Sequence, residues 1–192
     1  MKSPPKNQEN EETSEEFLYE IKVPKDRIAV VIGSKGEIKK RFEEFVGCSI
    51  NIDSQEGIVT LKGNDSLKLY CLQSIIKAIA RGFNPEIAQL LLKQDYCLEV
   101  VSLNEYNAKK NHQLRLKGRV IGEKGKSRRA IEELTGSFVS VYGKTISIIG
   151  TVEEVLTAKK AIEFLLAGSR HATVYKWLEK QRRLALQGEH KI

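Results

Sequence analysis

Two short stretches, Gly33-Ser-Lys-Gly36 and Gly122-Glu-Lys-Gly125, each set a pair of glycines around a lysine and run into basic residues. Lys39 and Lys40 follow the first; Lys126, Arg128 and Arg129 follow the second, with Arg119 just before it. Glycines in such a turn let the backbone approach whatever lies across it, because no Cβ stands in the way. A helix beginning there presents unpaired N–H groups to an anion. Phosphate suits that arrangement, either in a bound nucleotide or in a nucleic-acid strand. Gly125-Lys126-Ser127 has the ending of a nucleotide-binding P-loop, but that loop needs another glycine five residues before Gly125. The residue there is Val120. The nucleotide reading fails on its first glycine.

Other chemistries find no foothold. Asp26, Asp53, Asp65 and Asp95 are scattered, and Glu132 and Glu133, being adjacent, point to different faces of a helix, so no nuclease-like carboxylate cluster is expected. Cys48, Cys71 and Cys97 stand far apart with no C-x-x-C, and His112, His171 and His190 have no metal spacing. No metal, cofactor or catalytic residue is therefore expected, and the cysteines read as inert buried residues of a reducing cytosol. The charged N-terminus lacks an apolar signal core, and no run approaches the ~20 apolar residues of a membrane span. A cytoplasmic protein is expected.

The formal net charge of +7 is unevenly spread. Residues 1–20 carry −4 and the rest +11, and residues 109–129 hold nine Lys or Arg against one Glu. A basic run is often just a solvated helix face. Here it surrounds a glycine loop, which is the electrostatic footprint of a phosphate-binding surface.

The elements that must position these loops occur twice. At an offset of 89 residues, Val31-Ile-Gly-Ser-Lys-Gly36 lies over Val120-Ile-Gly-Glu-Lys-Gly125. Glu43-Glu44 lies over Glu132-Glu133, Gly47 over Gly136, and Ser49-Ile-Asn-Ile52 over Phe138-Val-Ser-Val141. After a two-residue deletion Gly63 matches Gly150. The chain is a duplicated domain.

Each copy reads in the same order. Residues 17–23 alternate like a half-buried strand; Pro24 ends it and Asp26 is expected to cap a short helix through Val31. The glycine loop follows, then a helix over 37–46 stopped by Gly47, strands 49–53 and 58–62, and a helix over about 65–81. The second copy repeats this with strand 97–103, helices on either side of 122–125, strands 138–142 and 145–149, and helix 152–167. Thr151 and Glu154 have the spacing of a capping box.

Residues 83–95, opening with Asn84-Pro85-Glu86, read as a connecting helix packed between the domains. The tail 1–16 is polar and acidic and is expected to be disordered. Residues 169–192 read as a basic amphipathic helix, with Val174, Trp177, Leu178 and Leu184 on its apolar face.

The order strand–helix–G-x-x-G–helix–strand–strand–helix resembles the KH domain, over residues 17–82 and 96–168. That family's loop clamps the backbone of about four nucleotides of single-stranded nucleic acid. The resemblance implies an α+β fold: two tandem type I KH domains, each a three-stranded antiparallel sheet packed on three helices. Type II needs a helix and a strand before the loop hairpin, and only a polar tail precedes strand 17–23. KH domains usually place an aliphatic residue three positions after the second glycine; here stand Lys39 and Arg128.

The pair, with Gly-Glu-Lys-Gly-Lys-Ser-Arg-Arg-Ala-Ile-Glu and then Lys144-Thr-Ile-Ser-Ile-Ile-Gly150, resembles the partner-of-Nob-one family of small-subunit ribosome assembly factors. Eukaryotic members degrade the first glycine loop, so Gly33 and Gly36 make this chain look archaeal. The resemblance implies binding near the 3′ end of precursor small-subunit rRNA and contact with the Nob-one endonuclease. The RNA-binding set expected is Gly33, Ser34, Lys35, Gly36, Lys39, Lys40, Arg119, Gly122, Glu123, Lys124, Gly125, Lys126, Arg128 and Arg129. The alternative within the same class is a KH protein of mRNA regulation or of an exosome-like decay complex.

Overall fold

A computed structural model describes residues 16–106 and 109–189; the expected disorder of the acidic tail falls almost wholly on residues outside that range. The first domain begins with β1 (Phe17–Lys22) and α1 (Lys25–Ile32), and after the glycine loop continues with α2 (Glu37–Val46), β2 (Ser49–Asp53), β3 (Ile58–Gly63) and α3 (Ser66–Ala80). A one-turn helix α4 (Pro85–Ala88) leads into the second domain: β4 (Tyr96–Ser102), α5 (Lys110–Ile121), α6 (Lys126–Thr135), β5 (Phe138–Tyr142), β6 (Thr145–Thr151) and α7 (Val152–Leu166). Helix α8 (His171–Glu189) follows.

Both sheets are three-stranded and antiparallel, with the third strand of each copy in the centre: β1-β3-β2 and β4-β6-β5. Leu61 faces Tyr19 on one side and Ile50 on the other, and Ile149 stands likewise between Leu98 and Phe138. This is the type I arrangement, twice. Each core lies between sheet and helices: Val31, Phe42, Leu61, Leu69 and Ile76 in the first, Val120, Ile131, Ile148 and Ile162 in the second. Gly47 and Gly136 end α2 and α6 in left-handed conformation, their N–H groups bonding Glu43 O and Glu132 O at 2.8 Å. Asp65 caps α3 by accepting the Leu67 and Lys68 N–H groups, and the Glu154 carboxylate accepts the Thr151 N–H at 2.8 Å.

The two sheets differ in one respect that the sequence carries. Along β3, Val59 and Leu61 are buried while Thr60 and Lys62 are not, so one face is wet. Along β6 every residue from Thr145 to Gly150 is buried. A strand covered on both faces reads as a near-continuous apolar run, as Thr-Ile-Ser-Ile-Ile-Gly does. The cover over its second face is the first domain. Tyr96, Leu98, Phe138 and Ile149 pack onto the first core with Ala88 and Leu91. Ser140 Oγ donates to Arg81 O at 2.9 Å, and the Tyr142 hydroxyl donates to Asp26 Oδ2 at 2.5 Å.

Three expectations need correction. Asp26 does not cap α1; Pro24 holds the N-cap position, and the Asp26 carboxylate is used across the domain interface. The connector is not one helix but the single turn α4 followed by a 3₁₀ turn over Gln89–Leu92. The buried residues of these two turns, Pro85, Ala88 and Leu91, recur every third residue, the spacing of a 3₁₀ repeat. Helix α8 buries Val174 and Leu178 and sets Trp177 edge-on to Phe164, but Leu184 is exposed, as are all residues from 182 to 187.

Candidate nucleic-acid interface

The two glycine loops are built alike to within a few degrees. Gly33 and Gly122 have φ of 74° and 72°, Gly36 and Gly125 have φ of 80° and 77°, and between them Lys35 and Lys124 are both at φ 50°. Left-handed backbone at a non-glycine residue costs about 1–2 kcal/mol, and these two lysines are the positive-φ non-glycine residues among those described. The strain holds each lysine at the tip of its turn, exposed, where the next helix begins.

The glycines of each pair have different reasons. A Cβ on Gly33 would lie 2.3 Å from Ile38 Cγ1, and one on Gly122 would lie 2.6 Å from Ser127 Cβ. The first glycine is needed so that α2 or α6 can press against the end of the preceding helix. Around Gly36 and Gly125 a Cβ would meet nothing within 4 Å. The second glycine therefore faces open space, where a ligand backbone can come close.

Most of the expected residues gather around these turns. Ser34, Lys35 and Lys40 are exposed at the first loop, and Glu123, Lys124, Lys126, Arg128 and Arg129 at the second. Arg129 also steadies its loop, Nη2 donating to Lys124 O at 2.8 Å. Lys39 and Arg128 stand beside Glu43 and Glu132, at 3.8 Å and 3.7 Å. Each glutamate accepts an edge-strand N–H at 2.8 Å, from Ile50 in β2 and Val139 in β5.

Arg119 is the exception. Its Nε donates to Leu165 O at 2.8 Å and its Nη2 to Ser169 O at 2.5 Å, so the guanidinium ties α5 to the end of α7. Arg27, from a different turn of α1, does the same for Ile79 O and Phe83 O. Ile79 O and Leu165 O also accept the Gly82 and Gly168 N–H groups, so each guanidinium adds a second bond at a helix end and reaches one carbonyl beyond it, and neither belongs to the loop surface. Charge counting along the sequence could not separate them from the free cations.

Sequence reasoning also missed part of the wall. In each Val-Ile-Gly the valine is core (Val31 and Val120); Ile121 is exposed beside the second loop, whereas Ile32 is half-buried against the first core. One turn earlier, helical Gly118 has open space before it. A glycine inside a helix destabilises it by about 1 kcal/mol relative to alanine, and no packing here requires it. The repetition of Val-Ile before both loops was the available signal.

Among the described residues no cluster of three His, Cys, Asp or Glu could hold a metal, and no helix is long and apolar enough to cross a membrane. Cys48 is buried and Cys71 and Cys97 half-buried. Burial pushes the Cys48 and Cys97 thiols up, away from the reactive thiolate.

Two type I KH folds, each with an intact and strained glycine loop opening on a basic surface, define a tandem KH-domain RNA-binding protein. Residues 18–77 match the KH domain profile, and residues 97–183 match that of the second KH domain of Pno1, described as a eukaryotic type KH-domain (KH-domain type I). The chain belongs to the Pno1/Dim2 (partner-of-Nob-one) family, and within it resembles archaeal members. A KH domain-containing protein of Methanocaldococcus jannaschii is 49% identical over 166 residues, spanning 84% of this chain and 73% of that protein. The RNA-binding protein pno1 of Dictyostelium discoideum is 28% identical over 171 residues, 86% of this chain and 72% of its own. The aDim2p chain of the a/eIF2alpha–aDim2p–rRNA complex from Pyrococcus horikoshii OT3 superposes with a TM-score of 0.82 at 42% identity, covering 88% of this chain and 95% of that one.

Proposed function

We propose that this protein binds precursor small-subunit rRNA near its 3′ end, as a non-catalytic factor that holds the strand in a defined shape for processing. The observation that carries the reading is the pair of loops with matching backbone angles, each with an open second glycine and a lysine held at its tip. Two such clamps on one packed body can hold a strand at two points. The a/eIF2alpha–aDim2p–rRNA complex of the relative supports ribosomal RNA as the ligand class. Further partners proposed are the Nob-one endonuclease and other assembly factors, met in the cytoplasm.

The residues at the second loop support the non-catalytic part of this reading, since they do not form a P-loop. Val120 is fully buried in the core, where a P-loop would need a glycine free to wrap a phosphate. Purified protein with ATP or GTP and magnesium should show no turnover, and hydrolysis lost in Lys126→Ala would restore the nucleotide reading. The test of the RNA reading is ultraviolet crosslinking in cells followed by sequencing of the bound RNA. A single cluster near the small-subunit rRNA 3′ end is expected. Crosslinks spread over many messages would favour a role in mRNA regulation or decay instead.

A further inference from the structure

The duplication supplies an internal control, because a residue that the fold itself needs should recur in both copies. One group of cations does not recur. Lys22 at the end of β1, Lys25 at the start of α1, and Lys77 and Arg81 at the end of α3 line a pocket of about 310 Å³ in the first domain. Gly63 and Gly150 pair with Phe17 and Cys97, which sets Ser102 in the place of Lys22. The 89-residue offset between the glycine loops sets Leu114 in the place of Lys25. Buried Leu69, Leu72, Ile76 and Ile79 lie over Val155, Ala158, Ile162 and Leu165, so Glu163 and Ala167 stand where Lys77 and Arg81 do. All four cations are replaced, one of them by an acid, and the second sheet keeps the same strand order.

All four side chains are exposed, and among the described residues none of them makes an ion pair or a side-chain hydrogen bond. Glu56 is the one acid of the lining. Asp26, the acid in the first turn of α1, is turned away to Tyr142. That turn begins at Pro24, which has no side-chain acceptor, and no side chain caps it; Pro24 and Lys25 both line the pocket. Like charges gathered this way repel and work against the compact state, and an anion relieves them. Cations from three elements beside an uncapped helix start suit phosphate. The pocket is not part of the first clamp, since the eight residues of α1, about 12 Å, separate Lys25 from the glycine loop. It lies close to the second domain instead. Arg81 lines the pocket while Gly82 lines the cleft between the domains, and Arg81 O accepts Ser140 Oγ at 2.9 Å.

We propose that Lys22, Lys25, Lys77 and Arg81 form a third phosphate-binding site, outside both glycine loops, which holds RNA backbone where a strand passes from the second domain onto the flank of the first. The inference rests on the RNA-binding reading above. Contacts of this kind carry no sequence information. They lengthen the bound segment and fix the direction in which it leaves the second domain.

The test is fluorescence anisotropy of the full chain with two RNAs from the small-subunit rRNA 3′ end, at several salt concentrations. One has about six nucleotides, little more than a single glycine loop clamps, and the other roughly twenty. Lys77→Gln with Arg81→Gln should leave the short RNA bound as by the wild type. For the long RNA it should lower affinity roughly tenfold at low salt and flatten the salt slope by about 1.4, from two phosphates at about 0.7 each. Glu56→Gln should tighten the long RNA by about twofold or more at low salt, a gain that misfolding cannot produce. The turn that carries Glu56 is held by its N–H on Asp53 Oδ1 at 3.0 Å, not by its carboxylate, so this variant should melt like the wild type. Equal losses on both RNAs, or long-RNA binding unchanged in both variants, would overturn the inference while leaving RNA binding intact. Inorganic pyrophosphate bound by the wild type but not by the Lys77/Arg81 variant, with long-RNA binding unchanged, would assign the pocket to a small phosphate ligand and likewise overturn it. Failure of the wild type to bind the long RNA would overturn the RNA-binding reading and this inference with it.

Discussion

Arg119 and the pair Lys124/Lys126 lie within seven residues of one another in sequence, and the structure gives them opposite duties. Replacing Arg119 by Ala removes two charge-assisted hydrogen bonds, to Leu165 O at 2.8 Å and Ser169 O at 2.5 Å. Hydrogen bonds to charged groups contribute about 1.5–3 kcal/mol each. Ala167 and Gly168 at that helix end are exposed, so water can take over part of the lost bonding. A net loss of roughly 2–4 kcal/mol remains. For a chain of this size that lowers the melting temperature by roughly 5–15 °C. The guanidinium is away from the loop, so the dependence of RNA affinity on salt should keep its wild-type slope.

Lys124→Ala with Lys126→Ala should do the reverse. Both side chains are exposed at the loop, so melting should stay near the wild type. Single-strand binding weakens with log salt by about 0.7 per phosphate neutralised, so the double variant should flatten the slope by about 1.4. Anisotropy titrations at several salt concentrations, with melting curves on the same samples, read both quantities. An Arg119→Ala protein that melts like the wild type and loses slope would refute the assignment of that guanidinium to the fold.

Three further outcomes are expected. Replacing Glu123 and Lys124 by Asp should weaken RNA binding more than replacing Ser34 and Lys35 by Asp, since residues 109–129 carry +8 and residues 22–41 carry +5; aspartate tolerates the left-handed position, and equal losses would overturn the ranking. Gly122→Ala should destabilise the fold more than Gly125→Ala, because a Cβ at 122 meets Ser127 at 2.6 Å whereas at 125 it meets nothing within 4 Å and suffers only backbone strain of about 1–2 kcal/mol; equal melting temperatures would contradict that division. Stability should fall as pH rises above about 10. The hydrogen bond to Asp26 raises the Tyr142 phenol, and the one to Glu99 raises Lys159, so the folded state favours the protonated forms and loses that advantage once the unfolded chain deprotonates first. Tyr142→Phe should show a shallower fall in melting temperature over that range, and an unchanged fall would remove Tyr142 from the account.

How much of this was legible beforehand varies from residue to residue. The duplicated Val-Ile-Gly-x-x-Gly, the helix-stopping Gly47 and Gly136, and the alternation along β1 and β2 are local signals, and the elements they announce are present. Even the covered second sheet is written in β6, where Thr-Ile-Ser-Ile-Ile-Gly departs from the alternation of its counterpart Ile-Val-Thr-Leu-Lys-Gly. Helix periodicity, turn chemistry and strand alternation act over a few residues, so a linear reading can recover them.

What only the tertiary structure decided is which partner each polar group finds. Arg27 and Arg119 are cations like their neighbours until α3 and α7 bring helix-end carbonyls within reach. Asp26 is a plausible cap until Tyr142, 116 positions away, claims its carboxylate. The connector bends into a 3₁₀ turn because Ala88 and Leu91 must both enter a shared core. Glu43 and Glu132 were visible as a repeat, but their purpose, bridging an edge strand to the basic residue of the groove, needed the strand in place. A hydrogen bond depends on separations of about 3 Å across chain segments far apart in sequence, and nothing in residue order encodes that separation before the fold closes it.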